Sequence, residues 1–440
     1  MRKILFSCLS LLVSVGLFAQ KDANKIKFQE FDLENGLHVI LHEDHSTPIV
    51  AVSIMYHVGS KNENPNKTGF AHFFEHLLFE GSKYIKRGEI DDYIENAGGM
   101  MNANTSFDRT FYFEVLPSNY LEMGLWIESE RLLHAKVEQV GIETQRKVVK
   151  EERRLRVDNQ PYGRLLEEVM KRAFVEHPYQ WMPIGSMAHL DAAVEEDYVN
   201  FYKTYYVPNN ATLSIAGDIT PEIAKALVEK YFTDIPRGAE IVRPSIVEPK
   251  QQAEIRDTVY DKVQLPAVIH AYHTPPQGTD DFYAVEMLST LLSRGQSSRL
   301  NTVLVDQKEQ CVAAGSFPIA TEDPGLSVTY GICNIGVAPD EVEATIEGEI
   351  KKLQTKLISE KEFQKLQNQI ENDFVSSNST VAGIAESLAN YHVYLGNADL
   401  INTEIKRYRS VSREDLRKAA QKYFTADNRV VLYWLANPKG

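Results

Sequence analysis

Cysteine is nearly absent, with three in 440 residues. Cys8 lies in an apolar leader, near its start, and only Cys311 and Cys333 follow. Two cysteines exclude a disulfide framework as the source of the fold's stability. They flank a hairpin-like stretch, "CVAAGSFPIATEDPGLSVTYGICNIG", whose turn signal "EDPG" lies near the middle. Pairing across the strands and two buried free thiols are both open readings. Basic charge is also short: 47 Lys and Arg face 61 Asp and Glu, a net charge of −14. An acidic surface argues against nucleic acid and anionic lipid as partners. Beyond the first nineteen residues no apolar run is long enough to span a bilayer.

Those nineteen residues stand apart. "MRK" is basic, "ILFSCLSLLVSVGLF" is apolar, and a cleavage point follows Ala19. This is the pattern of a secretory signal peptide, too short and wrongly flanked for a membrane span. Cys8 sits inside the apolar run, where a lipoprotein cysteine would not. Loss of Arg2 and Lys3 leaves 45 basic against 61 acidic residues, a charge of −16. The mature chain is expected to be soluble, without a membrane span, and exported to the periplasm or out of the cell.

The length exceeds what one core comfortably fills, so two domains are expected. "IKFQEFDL" and "LHVILH" around Asn35-Gly36 read as a hairpin. "IVAVSIMYHV" (49–58) is a continuous apolar strand, and "NANTSFDRTFYFEVL" is strand-like. Helical patterns occupy roughly 118–134, 138–157, 161–175 and 194–206. Residues 233–255 hold three prolines, mixed charge and no period, the mark of a linker. Strand, helices, hairpin, paired helices and a last strand "RVVLYWLA" then repeat the order of the first half. The expected division is 1–19 signal peptide, 20–232 first domain, 233–255 linker and 256–440 second, similar domain. Each domain is expected to be α+β, a twisted sheet with helices packed mainly on one side.

The chemistry concentrates in "GFAHFFEHLLFEG", residues 69–81. On a helix His72 and His76 lie one turn apart on one face, so both imidazoles reach one point. Zinc takes such nitrogens at about 2.0–2.1 Å and lowers the pKa of a bound water to about 7. Glu75 sits beside the two histidines, placed to accept that water's proton and return it to a leaving amine. A core helix carrying three polar groups on one face would otherwise need partners for all of them. A third ligand must come from elsewhere. "QRKVVKEERRLRVDNQ" offers Glu151 and Glu152 on a helix whose buried edge is expected at Val148 and Val149, and composition does not choose between the two glutamates.

The order His-x-x-Glu-His inverts the common zinc-protease motif and is that of the inverzincins. From about residue 26 onward the chain resembles the pitrilysin and mitochondrial processing peptidase family, in its two-domain branch. The resemblance rests on "GFAHFFEHLLFEGS", "GGMMNANTSFDRTFY", "ESERL", "QRKVVKEERRL", "HPYQW" and "GQSSRL". It implies a zinc metalloendopeptidase with one Zn2+ per chain, held by His72, His76 and Glu152, with Glu75 as general base. Glu152 lies 76 residues after His76, the family's spacing for the third ligand. The family's Gly-x-x-Asn-Ala edge strand implies substrate contact at Asn102 and Ala103, where a peptide adds as a further strand.

Two departures stand out. The family's glutamate seven residues before the third ligand is Gln145 here, still able to hydrogen-bond behind the metal ligands. Family members that act alone also carry an Arg and a Tyr after "SSRL" that steady the developing oxyanion. Those positions fall on Val305 and Val312, and no tyrosine occurs between Leu300 and Thr329. The expectation is a heterodimer in which a homologous subunit supplies the pair. The alternatives are a self-sufficient homodimeric peptidase and a non-catalytic, zinc-containing assembly subunit. Elsewhere, His270 and His273 sit three apart on a strand, on opposite faces. His42 and His45 have no evident partner, His177 reads as structural, and Ser297 and Ser298 read as helix-start caps.

Overall fold

A computed structural model describes residues 25–243 and 245–438. The expected leader, with Cys8, lies outside them. The first half builds a six-stranded sheet from β1 (Gln29–Asp32), β2 (His38–Glu43), β3 (Ile49–Tyr56), β4 (Met100–Thr105), β5 (Thr110–Pro117) and β6 (Ala211–Gly217), in the order β1-β2-β6-β3-β5-β4. The second half builds a five-stranded sheet from β7 (Ile255–Asp261), β8 (Ala267–His273), β9 (Cys311–Ile319), β10 (Leu326–Cys333) and β11 (Arg429–Ala436), in the order β7-β11-β8-β10-β9. Leaving out β1, the two orders are the same. In each, the last strand inserts parallel to the first and antiparallel to the second, and the next two strands form an edge hairpin. The repeat that the element order suggests is thus a repeat of topology, and the fold is α+β with two similar halves.

The strand β3 explains how the halves join. Its side chains alternate between faces: Val50, Val52, Ile54 and Tyr56 enter the core with the first half's own helices, including Phe70–Leu77 and Leu121–His134. Ala51 and Met55 point the other way, against Val381–Leu395, a helix of the second half. The second sheet is treated likewise. Val268 and Tyr272 pack on its own helices, whereas Ile269, Ala271, Val430, Leu432 and Trp434 meet Val169, Met170 and Ala173 of the first-half helix Leu165–Ala173. Each half therefore keeps its helices mainly on one face and lends one helix to the other half's open face.

A polar clasp accompanies this exchange. Lys61 Nζ lies 3.0 Å from Asp108 Oδ1, 2.5 Å from Glu322 Oε2 and 3.1 Å from Asp323 Oδ2. The Tyr179 hydroxyl donates to Asp108 at 2.6 Å, and His177 Nε2 sits 3.3 Å from Asp323. "HPYQW" and the turn "EDPG" thus grip one another across the halves. Between Phe232 and Ile255 the described residues form no helix or strand, yet Glu248 there accepts backbone N–H groups of Val175, Glu176 and His177. Cys311 and Cys333 are register partners on β9 and β10 and are buried free thiols. Burial pushes the first up to about 12 and the second to about 11. Ser297 does not cap a helix as expected, since its hydroxyl accepts from Lys365, and the buried Ser298 hydroxyl has no partner. Among the described residues no helix is long and apolar enough to cross a membrane.

Candidate metal centre

The motif helix, Phe70–Leu77, begins at Gly69 with φ +97°. A Cβ on Gly185 would fall 2.3 Å from Gly69 Cα, so Gly185 has no room for a side chain, and at Gly69 the positive φ would strain one. Phe70, Phe73, Phe74 and Leu77 are buried, and the Tyr198 ring lies 4.7 Å from both Phe70 and Phe73. The buried Glu63 holds the start of the helix: its oxygens accept Gly69 N–H at 2.9 Å and Ala71 N–H at 2.8 Å. Burial raises its pKa to about 8 while those N–H groups pull it down. Above about pH 8, where Glu63 is ionised, Glu63→Gln replaces one acceptor oxygen with a donor and leaves a buried N–H unpaired. It is expected to cost about 1–3 kcal/mol in denaturant unfolding, whereas an unchanged midpoint would mean that the cap is dispensable.

The opposite face carries the histidines. His72 Nε2 and His76 Nε2 lie 3.4 and 3.1 Å from one atom, Glu152 Oε2. Donors held at about 2.0–2.1 Å around one tetrahedral ion are separated by about 3.3 Å, so the three atoms have the spacing of ligands to a single zinc. Burial, with His76 alongside, lowers His72 to about 4, leaving a neutral imidazole with a free lone pair. The hydrogen bond with His76 holds Glu152 below its usual range. Arg156 Nη1, one turn on, grips the other oxygen of Glu152 at 2.7 Å while its side chain stays 77% exposed. The donor set and its spacing fit a zinc ion.

Glu75 is not one of the three. Burial raises its pKa, and the Thr105 hydroxyl nearby opposes the rise, although Thr105 Oγ1 makes no well-formed hydrogen bond. Thr105 ends β4, so the edge strand runs up to the motif. Asn102 is exposed and Ala103 half-buried on β4, whose outer edge pairs with no strand among the described residues. Ala103 N–H bonds the Asn102 side chain at 2.9 Å.

Two details, at Val148 and at Gln145, depart from expectation. Glu151 turns outward to Arg154, at 2.6 and 2.9 Å, leaving Glu152 as the glutamate that faces the histidines. Val148 is exposed, because the buried stripe of helix Gln139–Arg153 runs through Ile142 and Val149, two turns apart. Gln145, also two turns from Glu152, donates to Glu80 Oε1 at 2.5 Å and hydrogen-bonds none of the three convergent residues. Val305 packs half-buried on the second core and Val312 is exposed on β9. His42 bonds the Lys27 carbonyl, and His45 pairs with Glu43 and Asp218. His270 is fully buried.

Behind the motif lies a charged cluster. The hydroxyl of Tyr112 donates to the Phe74 carbonyl at 2.8 Å, and the Arg131 guanidinium lies 4.8 Å from the Tyr112 ring and 5.0 Å from Phe79. Arg131, from "ESERL", pairs with Glu128 and lies 3.3 Å from Glu114, with all three side chains buried. Burial, with Glu128 adjacent, drives the Glu114 pKa well up.

Residues 38–182 match the family described as Insulinase (Peptidase family M16), and residues 194–370 match the Peptidase M16 inactive domain. The zinc protease PqqE of Helicobacter pylori is 32% identical over 418 residues, 94% of each chain. A crystal structure of a protease from Helicobacter pylori has a TM-score of 0.89 at 30% identity, covering 93% of this chain and 100% of that one. An Arabidopsis thaliana protein named as a mitochondrial-processing peptidase subunit beta is 24% identical over 405 residues, 89% of this chain and 75% of that one. Fold and relatives together define a two-domain α+β chain of the zinc-protease class. The chain belongs to peptidase family M16, the pitrilysin family.

Proposed function

We propose that the chain is the zinc-bearing subunit of an exported metalloendopeptidase that hydrolyses extended, unstructured peptides. The observation that carries this reading is the convergence of His72 and His76 on Glu152 Oε2, with Glu75 beside them and free of ligand duty. Zinc bound by His72, His76 and Glu152 would supply a water of lowered pKa and a Lewis acid for the scissile carbonyl. Glu75 takes a proton from the attacking water and returns it to the leaving amine. The open edge of β4 supports substrate addition as a strand. Ala103 N–H is turned to a side chain rather than to β5, so Asn102 yields that donor to a peptide carbonyl. Folded proteins cannot offer such a backbone, so the substrates are flexible chains.

With valines at 305 and 312, a homologous partner chain provides the Arg and Tyr that steady the oxyanion. A relative named as a subunit supports this division. Export follows from the leader, with removal after Ala19. A second reading has one specific support: Arg156 already places an exposed cation at the centre and offers a self-sufficient enzyme an oxyanion donor. The deciding experiment takes the purified mature chain, measures its zinc, and follows cleavage of a quenched, unstructured peptide. Zinc without turnover, followed by turnover when a homologous chain is added, is expected. Turnover by the chain alone that vanishes in Arg156→Gln would replace the split site by the self-sufficient one.

A further inference from the structure

We propose that Cys311 and Cys333 are joined by a disulfide as the exported chain folds, closing the open end of the β9–β10 hairpin. Such a bond depends on the proposed export, since thiols stay reduced in the cytosol of most cells. The two cysteines are register partners on adjacent antiparallel strands. Beside them Asn334 N–H donates to the Gln310 carbonyl at 2.8 Å, a bond from one residue past Cys333 to one residue before Cys311. Cys333 N–H itself turns away from β9, to the Pro266 carbonyl at 2.8 Å. That pattern defines a non-hydrogen-bonded pair, in which Cα atoms approach to about 4.5 Å and side chains lie closest. A disulfide takes Cα separations of roughly 4.4–6.8 Å, so the backbone holds the pair at bonding distance. The Asn334 side chain fastens the same end, with Nδ2 donating to the Glu309 carbonyl at 3.1 Å.

Both side chains face one way. Cys311 and Cys333 are 3% and 0% exposed and lie in the same core. A Cβ on Gly331, the neighbour of Cys333 on that face of β10, would fall 3.0 Å from the Cys311 sulfur. The sulfur thus already reaches across to β10, and rotation about Cα–Cβ carries it from Gly331 to Cys333. Burial pushes the two thiols up to about 12 and about 11, which leaves almost no thiolate in the folded chain. Thiolate is the form that reacts, so the bond forms while the hairpin is still open to solvent. The co-reactant is a dithiol oxidant in its disulfide form. One cysteine thiolate attacks a sulfur of that oxidant and releases its first thiolate; the second cysteine attacks the mixed disulfide and releases the other. One S–S bond breaks, one forms, and the two thiol protons end on the reduced oxidant. Among the described residues β9 pairs only with β10, and the register shifts between Ile332 and Cys333, leaving Val312 outside the ladder. The covalent link closes the end where hydrogen bonding is interrupted, while the clasp at Glu322 and Asp323 holds the turn at the other end.

The test is the state of both cysteines after the mature chain is refolded with Zn2+, either in an oxidising glutathione buffer or with a phosphine reductant. Free thiols are then alkylated in denaturant and located by peptide mass. Oxidising refolding is expected to leave neither cysteine alkylated and to yield one peptide pair linking Cys311 to Cys333 within one chain. Tm should be at least about 3 °C higher than after reducing refolding, because the bond restricts the unfolded chain. The Cys311→Ala/Cys333→Ala chain should show the same Tm in both buffers; wild type alone carries the comparison should that variant not fold. Two alkylated cysteines after oxidising refolding, or bonds only between chains, overturn the disulfide. In the cell, the chain made with its leader is expected to carry the bond. A chain that forms it on refolding, yet in the cell keeps its leader and both thiols, upholds the pairing and overturns the export.

Discussion

Glu75→Gln is expected to lower kcat by at least about 10²–10⁴, the span typical of a lost general base, while zinc content stays that of wild type. The two outcomes separate because the side chain plays no part in the ligand set: His72, His76 and Glu152 make the cluster without it. The amide keeps the shape of the carboxylate and cannot take a proton from water. Glu75 is buried against the motif, which raises its pKa from the ordinary carboxylate value and so strengthens it as a base. Glu152→Gln should behave in the opposite order, losing zinc first and activity as a result. Turnover by the assembled enzyme and metal content of the same preparation decide the matter. A Glu75→Gln enzyme that still cleaves the peptide at near wild-type rate would remove Glu75 from the chemistry.

Arg131→Met is expected to destabilise the chain by about 3–5 kcal/mol, read from urea unfolding of the mature protein. Arg131 is the only cation that meets Glu114 and Glu128 among the described residues, and neither carboxylate is exposed. Burial and Glu128 already drive Glu114 toward its neutral form, so removing Arg131 takes the counter-ion from Glu128 above all, in a medium that penalises unpaired charge. Arg131→Lys should recover only part of the loss, because a lysine cannot lay a planar cation against Tyr112 and Phe79. Adding Glu114→Gln and Glu128→Gln to Arg131→Met should restore more than the lysine does, since the cost lies in unpaired charge. Equal stability of Arg131→Met and wild type would mean that the cluster carries no net pairing energy. Because Tyr112 also bonds the Phe74 carbonyl, this cluster is the floor on which the motif helix stands.

The spacing of His72, Glu75 and His76 is legible because it is local: one turn of helix brings those groups together whatever surrounds them. Glu152 is not local. Adjacent glutamates have the same propensity, and only the rotation of helix Gln139–Arg153 sends Glu151 to Arg154 and Glu152 to the histidines. The same rotation exposes Val148, which apolar character alone places in the core. Arg156 carried a readable signal, being four residues after Glu152 on a helical pattern. Glu63 did not, since it caps the motif from an irregular segment with no period. The two-half α+β plan can be read from element order, but nothing in helices Leu165–Ala173 and Val381–Leu395 says that each covers the sheet of the other half. Their apolar faces match any apolar surface, and the choice is made by the whole fold.

That reciprocal loan of helices has a mechanical consequence. A hinge between the halves would have to peel Val381–Leu395 from the first sheet and Leu165–Ala173 from the second, baring two apolar faces at once. The two halves are thereby held as one stiff body. Under the proposed pairing with a homologous chain, opening and closing around a substrate would fall at the joint between the two chains, where no core has to be broken.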